Sequence, residues 1–418
     1  MNIAKRYMQK SFLYKIIILY FITSILERID FFKREGSFGL TPEVIGALLL
    51  LMCCAFDIIL SRGTYFISPE LAEYIKIVLF LLLTVFISAC FSADSLMSFK
   101  RMTLLIIYAV SGFLAINYIL LYWKENLKSI ILKCTVAQCT LYMLFSAVDI
   151  IFWFNNSFQR SVQRFFPIYD ARLTSIGSSF VRVRGASGDP NRAGIFLVVC
   201  IFIILRFSKP SFLRTTFFGA ISIILLLTLS RTSILCLTIL LVMNSLINLM
   251  TLKRVSAKTI LPFIGLLFVA ALILIVFLNS KFLSGFFDGL IGRFESKDQS
   301  ANEHIELIVF GLQSAFSNGK IFLVGNGYGA SSELLTAVFH TPASKSFNFH
   351  NGFISFLVEC GAASCISFVY LIIKPLLKNK TLLPIVSVIV LANIPYQFFS
   401  ESYFWYVLPL IYALKDEK

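Results

Sequence analysis

Apolar residues fill this chain in long blocks, divided by short polar stretches and by two longer ones, at 155–191 and 281–350. A helix that crosses a bilayer needs about 20 mostly apolar residues, within a range of roughly 17–25. On that scale the pattern predicts about twelve spanning helices. They fall near 11–26, 43–60, 73–91, 101–121, 129–154, 191–206, 212–230, 232–250, 259–280, 351–373, 381–395 and 400–414. The expected fold is all-α, a polytopic membrane protein in which residues 1–418 form a single membrane domain. Lys5, Arg6 and Lys10 precede the first block as in a secretory leader, but no small-residue cleavage pattern follows, so this block is the first expected span.

Composition points the same way. Hydrophobic residues make up 58% of the chain and charged residues 14%, with a mean hydropathy of +0.84. Soluble domains are about 45–50% apolar and about 25% charged. The nine cysteines all lie within apolar blocks, and no Cys-x-x-Cys pair occurs, so neither a disulfide framework nor a zinc site is expected.

Basic residues orient the spans. With both termini inside, the inner loops collect Lys5, Arg6 and Lys10, then Lys124, Lys128 and Lys133, Arg206, Lys209 and Arg214, Lys253, Arg254 and Lys258, and Lys374, Lys378 and Lys380. The short outer loops hold fewer, and the 27–42 loop, with Arg28, Lys33 and Arg34, fits this orientation least well. Both long loops then face outward.

Read through Arg192, the first long loop contains six arginines and no lysine. Phe158, Val162, Phe165 and Phe166 alternate with Arg160 and Arg164 in the manner of a short amphipathic surface helix, whose arginines, with Arg172, contact lipid headgroups. Arg182 and Arg184 differ because Gly185 and Gly188 follow, which permits a tight turn and close approach of an anion. Asp189-Pro190-Asn191 reads as the entry to the next helix. Arginine offers phosphate a planar, bidentate donor array, so this pair is a candidate diphosphate site.

Arg231 stands alone in Leu227-Thr-Leu-Ser-Arg-Thr-Ser-Ile-Leu235, with no other charge between Arg214 and Lys253. A snorkelling arginine at a tight turn explains its tolerance. An anion clamp at the outer rim, flanked by Ser230, Thr232 and Ser233, explains its presence. All three histidines, His304, His340 and His350, fall in the second long loop or at its end, and histidine is the side chain suited to proton transfer near neutral pH. That loop also carries Arg293, an apolar run from Leu307 to Phe316 and the glycine cluster Gly325-Asn-Gly-Tyr-Gly329. His350 immediately precedes the tenth expected span.

Leu229-Ser-Arg231-Thr-Ser, Arg184-Gly…Gly188-Asp-Pro-Asn191 and His350-Asn351-x9-Gly361 together resemble the O-antigen polymerase and O-antigen ligase superfamily, the Wzy and WaaL proteins of bacterial surface polysaccharide assembly. The likeness covers about residues 180–375. It implies an inner-membrane enzyme of lipopolysaccharide or other polysaccharide biosynthesis, with its active site on the periplasmic side. The implied glycosyltransferase moves a glycan from undecaprenyl diphosphate to an acceptor hydroxyl without metal or other cofactor. The resemblance implies His350 as catalytic base, and Arg184, Arg231, Arg182, Arg293, His304 and Asn351 as substrate-binding residues. His304 stands where the family usually has an arginine before a Gly-Leu pair, here Gly311-Leu312. The implied partners are the undecaprenyl-diphosphate-linked oligosaccharide and membrane lipids. A chain-length regulator is compatible with this reading, and nucleic acid is not expected.

Three readings stay open. A polymerase extends a lipid-linked chain, and the Gly-Asp-Pro-Asn segment favours that branch. A ligase transfers the finished chain to lipid A core. A transporter of lipid-linked sugar or polysaccharide would also have about twelve spans, though no repeat relates the two halves of this chain.

Overall fold

The computed structural model describes residues 3–31, 39–61, 65–176, 180–251, 299–339 and 349–414. The span expected near 259–280 lies outside them, as do Arg293 and His340. About 80% of the described residues are helical. The first part of the chain forms α1 (Ile3–Thr23), α2 (Pro42–Leu60), α3 (Ala72–Cys90), α4 (Ser95–Trp123) and α5 (Leu127–Phe154). A surface helix α6 (Asn156–Phe165) leads to α7 (Pro190–Phe207), α8 (Phe212–Leu227) and α9 (Arg231–Thr251). Then come α10 (Gln299–Ser317), α11 (Gly319–Leu323), α12 (Ser331–Phe339), α13 (Gly352–Lys378), α14 (Leu383–Ala392) and α15 (Ser402–Ala413). The all-α expectation misses one detail. Strands β1 (Thr174–Ile176) and β2 (Phe180–Arg182) pair antiparallel, with Thr174 opposite Arg182.

Among the described residues, five helical stretches are long and apolar enough to cross a membrane: Pro42–Leu60, Pro69–Cys90, Ser95–Phe154, Pro190–Phe207 and Gly352–Lys378. Ser95–Phe154 cannot be one rod, because its 60 residues would extend about 90 Å. The chain leaves the helix at Trp123 (φ −139°, ψ 36°) and turns through a 3-10 segment, Lys124–Asn126, from α4 into α5.

Two predicted spans are shorter than expected. The 381–395 and 400–414 segments form helices of only 10 and 12 residues. At 1.5 Å per residue these reach about 15 and 18 Å, short of a hydrocarbon layer of about 30 Å. Helix α15 is apolar all round, and every residue from Ser402 to Ile411 is buried, so it serves as the core of the bundle rather than as a lipid-facing span. A Cβ on Gly112 of α4 would lie 2.2 Å from the Trp405 carbonyl, so the two backbones meet there. One hydrophobic cluster extends from Leu13 to Leu414, and a smaller one joins Leu307, Ala315, Ile321 and Leu335 to Phe349 and Val358.

Helix α13 is broken at Gly361 (φ 81°, ψ 173°). The Cys365 thiol lies 3.5 Å from the Phe353 carbonyl, whereas a straight helix would hold residues twelve apart at about 18 Å. The first half, 352–360, therefore folds back over the second. The break frees the carbonyls of Val358 and Glu359, which accept hydrogen bonds from Asn326 N–H and Gly327 N–H, each at 2.9 Å. A Cβ on Gly325 would lie 2.2 Å from the Glu359 carbonyl, so the glycine cluster is there to let this loop press against the broken turn. The Glu359 carboxylate accepts from Gly329 N–H at 2.9 Å and from the Ser331 hydroxyl.

Candidate functional site

The residues that carry the sequence motifs gather at one end of the bundle, where α1 and α5 finish and α7, α9 and α13 begin. The Gly-rich turn after β2 is fixed first. Arg28, just beyond α1, donates to Asp149 Oδ1 at 2.6 Å and to the Gly185 carbonyl at 2.7 Å, and its Nε and Nη2 reach the Asp170 carbonyl. Both side chains of the Arg28–Asp149 pair are 1% exposed. The other Asp149 oxygen accepts Arg184 N–H and Gly185 N–H, both at 3.1 Å. Arg184 extends the lattice, with Nη1 on Asp170 Oδ2 and the Gly188 carbonyl, and Nη2 on the Asp170 and Arg172 carbonyls. Burial alone would raise the Asp170 carboxyl. Hydrogen bonds from Arg172 and Arg184 outweigh it and hold the group well below the usual carboxylate range.

Arg184 is therefore committed to the protein. It is 4% exposed, and its Nε is buried without a partner, so the sequence-based assignment to substrate binding becomes an architectural role. Arg182 is also buried. Its Nε donates to the Thr228 carbonyl at 2.8 Å and its Nη2 to Asn191 Oδ1 at 2.9 Å. In this position it ties the start of α7 to the turn before α9.

That turn carries Arg231. Leu229 adopts φ 50°, Ser230 caps α9 by accepting Ser233 N–H, and the Ser233 hydroxyl donates to the Asn191 carbonyl at 3.4 Å. A Cβ on Gly194 would lie 2.2 Å from Ser233 Oγ, so α7 and α9 converge in close contact. Arg231 is half-buried at the first position of α9.

His350 lies at the head of α13 with φ 47°, half-buried, and Asn351 caps the helix by accepting Phe353 N–H and Ile354 N–H. Asn393, at the end of α14, accepts Gly352 N–H at 2.7 Å, and its carboxamide fills the space beside Gly352. Helix α7 starts beside the start of α9, where Ser233 meets Asn191, and ends beside the start of α14, where Arg206 meets Thr381, so α9 and α14 pack antiparallel, with the Cys236 thiol 3.9 Å from the Val388 carbonyl. Arg231 is five residues before Cys236 and Asn393 five after Val388. That register puts Arg231 and the His350–Gly352 corner at about the same level, roughly one and a half turns above the contact. Among the described residues, Leu229 and His350 are the non-glycine residues with positive φ. Such conformations cost about 1–3 kcal/mol and collect at functional sites.

A further group was not anticipated from the sequence. Arg192, in the first turn of α7, approaches Glu27 Oε2 at 3.4 Å and Glu401 Oε1 at 3.2 Å, and lies over the Tyr396 ring. Glu27 accepts Gly188 N–H at 2.8 Å and the Ser187 hydroxyl at 3.2 Å. Glu401 accepts the Tyr396 and Ser400 hydroxyls, each at 3.0 Å. The two carboxylates thus converge on the same guanidinium. Burial would raise Glu27, but the Arg192 charge and these hydrogen bonds hold it below its ordinary value. Glu43, in the first turn of α2, is a further buried carboxyl, 6% exposed. The only signal in sequence was that Glu27, Glu43 and Glu401 each border an apolar block.

Of the remaining sequence candidates, His304 falls on α10 and Arg293 lies outside the described residues. A cavity of about 220 Å³ lies at the opposite end of the bundle, among Glu70, Lys378, Asn379 and Tyr412, remote from the motif residues. Among the described residues no group of His, Cys, Asp and Glu is arranged to hold a metal ion. Searches of protein-family models and of curated proteins find no match to this chain.

Proposed function

We propose that this chain is a membrane glycosyltransferase of the O-antigen polymerase kind, acting on a glycan linked to undecaprenyl diphosphate at the end of the bundle where α7, α9 and α13 begin. The observation that supports the reading is the contact of the Asn191 segment with the Arg231 turn, together with the register of α9 on α14, which sets the His350 corner at about the same level; Leu229 and His350, the left-handed non-glycine residues among those described, lie in these two segments. In the transfer, an acceptor hydroxyl attacks the anomeric carbon and the carbon–oxygen bond to the diphosphate breaks. The bonding electron pair leaves with the lipid diphosphate, and the hydroxyl proton passes to His350. Arg231, at the rim and at the positive end of α9, stabilises the departing diphosphate. Arg182 and Arg184 hold the turn that shapes the site. The reaction needs a charged clamp and a base, and these residues provide both.

The test is an assay of purified protein with undecaprenyl-diphosphate-linked repeat units, alone and with lipid A core. A ladder from repeat units alone is the expected product, and Arg231→Ala abolishes it. Transfer only to core lipid would identify a ligase. A second reading, a proton-coupled carrier of lipid-linked sugar, draws support from the buried carboxylates around Arg192 and from the broken helix α13, both common at transport sites. Substrate accumulation in vesicles that survives His350→Ala, with no glycan product, would favour it over the enzyme.

A further inference from the structure

The end of the bundle opposite the motif residues holds the cavity of about 220 Å³, which the proposed chemistry does not use. Its origin lies at Pro375, inside α13. Proline has no N–H to donate, so the Leu371 carbonyl one turn earlier accepts from the Tyr412 hydroxyl of α15 instead, at 3.0 Å. The two helices meet through that contact, and the cavity lies between their last turns. Pro375, Leu382, Ile411 and Leu414 give it an apolar wall. Pockets for drug-sized ligands measure about 300–1,000 Å³, so this smaller volume suits a single headgroup and not a glycan chain.

The polar wall is unequal in charge. Glu70, in the 3-10 turn Pro69–Leu71 ahead of α3, is already bound by Lys124 at 2.8 Å and by the Ser68 hydroxyl. Glu73, one turn on, is shared by Lys374 at 2.8 Å and by Lys378. One carboxylate thus meets two ammonium groups, and Lys378, the one that lines the cavity, is exposed. Lys380 follows in the next turn, and Arg206 reaches the same corner by donating to the Thr381 hydroxyl at 3.1 Å. With Glu125 beside Lys124, this corner sets five cations (Lys124, Lys374, Lys378, Lys380, Arg206) against three carboxylates.

Asn379 adds a fixed donor. It is buried in the cavity wall, and its Oδ1 accepts Thr381 N–H at 2.9 Å and the Thr381 hydroxyl at 2.6 Å. Its Nδ2 reaches the Leu414 carbonyl only at 3.5 Å, the limit of a hydrogen bond. A buried amide donor held that far from its acceptor is short of a partner.

We propose that this cavity binds the phosphate of an anionic phospholipid. The phosphate takes the surplus ammonium of Lys378 and the Nδ2 donor of Asn379, and the glycerol rests on the apolar wall. The acyl chains run along Leu377 and Leu383, both exposed beside the site. Position identifies the source. The helices turn here, at the end where the basic residues of the inner loops gather, which is the level of the headgroups in the cytoplasmic leaflet. Basic pockets between spans on that side bind acidic headgroups. A lipid held there bridges the ends of α13 and α15 and stabilises the bundle. None of this rests on the proposed glycosyl transfer.

The test uses the full chain in mild detergent with added phosphatidylglycerol, phosphatidylcholine or inorganic phosphate, read by native mass spectrometry and by thermal unfolding. Wild type retains phosphatidylglycerol in preference to phosphatidylcholine and unfolds at a higher temperature in its presence. Lys378→Glu removes a cation and adds an anion, and weakens retention by about 30-fold. Leu414→Trp fills the cavity without changing its charge and also loses the lipid. Lys209→Glu makes the same charge change at an exposed lysine outside the wall and keeps it. Equal retention of both lipids by wild type overturns the proposal, as does a loss in Lys378→Glu and Leu414→Trp no greater than in Lys209→Glu. Stabilisation by inorganic phosphate as large as that by phosphatidylglycerol, abolished by the same two variants, refutes the lipid and makes free phosphate the ligand.

Discussion

Gly361→Ala is the sharpest probe of how this chain builds its site. The residue has φ 81° and ψ 173°, a region that side-chain-bearing residues enter at a cost of about 1–3 kcal/mol. Its new Cβ would lie 2.4 Å from the Leu323 carbonyl and 2.9 Å from Val324 N. Both are backbone atoms, so no side-chain rotation relieves the contact. Moving α11 away stretches the hydrogen bonds from Asn326 N–H to the Val358 carbonyl and from Gly327 N–H to the Glu359 carbonyl. Each contributes about 0.5–1.5 kcal/mol. Strain and lost bonds together give roughly 2–6 kcal/mol, a large share of a typical stability of about 5–15 kcal/mol. The measurement is thermal unfolding of purified protein in mild detergent, followed by intrinsic fluorescence. Gly319→Ala is the control, because a Cβ there meets nothing within 4 Å. If Gly361→Ala unfolds at the same temperature as Gly319→Ala, α13 tolerates a straight path and the account of the broken helix fails.

Other perturbations separate architecture from chemistry. Arg28→Ala strands a buried Asp149 and destabilises the fold by about 3–5 kcal/mol, visible as lower folded yield or earlier unfolding in the same assay. Arg184→Ala behaves likewise, with its surviving folded fraction retaining activity per molecule. Arg231→Ala is read in chemistry, with product absent per folded molecule, while Arg231→Lys keeps part of the activity because the bidentate geometry is gone. Asp170 has a depressed folded pKa, so the stability it contributes is complete above its unfolded value of about 3.9 and is lost as pH falls from there toward the folded value. Asp170→Asn accordingly flattens the acid limb of a stability–pH curve, and an unaltered limb would show that the lattice does not depend on this charge.

Periodic apolar blocks, caps and turns were readable because each is local. The helix predicted around Arg160 and Arg164 forms as α6, and Asp189 caps α7 by accepting Asn191 N–H at 2.7 Å, with Pro190 at its first position. Hydropathy counts apolar residues but carries no direction, so the reversal at Gly361 and the shortness of α14 and α15 were invisible. Both depend on contacts between distant segments, such as Cys365 on Phe353 and Gly352 on Asn393. The pairing of charges failed for the same reason. Arg184 and Arg231 look equivalent as arginines near outer turns, yet one meets Asp170 fourteen residues earlier and the other opens a helix. Glu27 and Glu401 are separated by almost the whole chain, and no local pattern could announce their convergence on Arg192.

The unequal treatment of these arginines has a physical logic. On the proposed function this turn presents a fixed surface to a large, charged, lipid-linked substrate, and it cannot rely on apolar packing to do so, since Gly185 to Gly188 offers almost no side-chain volume. Its own peptide groups have to be held, and Arg28 and Arg184 do so by binding the carbonyls of Gly185, Gly188, Asp170 and Arg172 while Asp149 takes two amides. Cations used in this way are neutralised by Asp149 and Asp170, and so are poor anion receptors. On the same proposal, binding of the diphosphate falls to cations outside that lattice. Of the motif arginines, Arg231 meets that condition: it is half-buried rather than sealed, and it heads a helix whose first amides face the same way. If both arginine classes bound substrate, Arg184→Lys and Arg231→Lys would raise the KM for lipid-linked glycan alike. The lattice predicts that only Arg231→Lys changes substrate kinetics, and that Arg184→Lys is felt in folding.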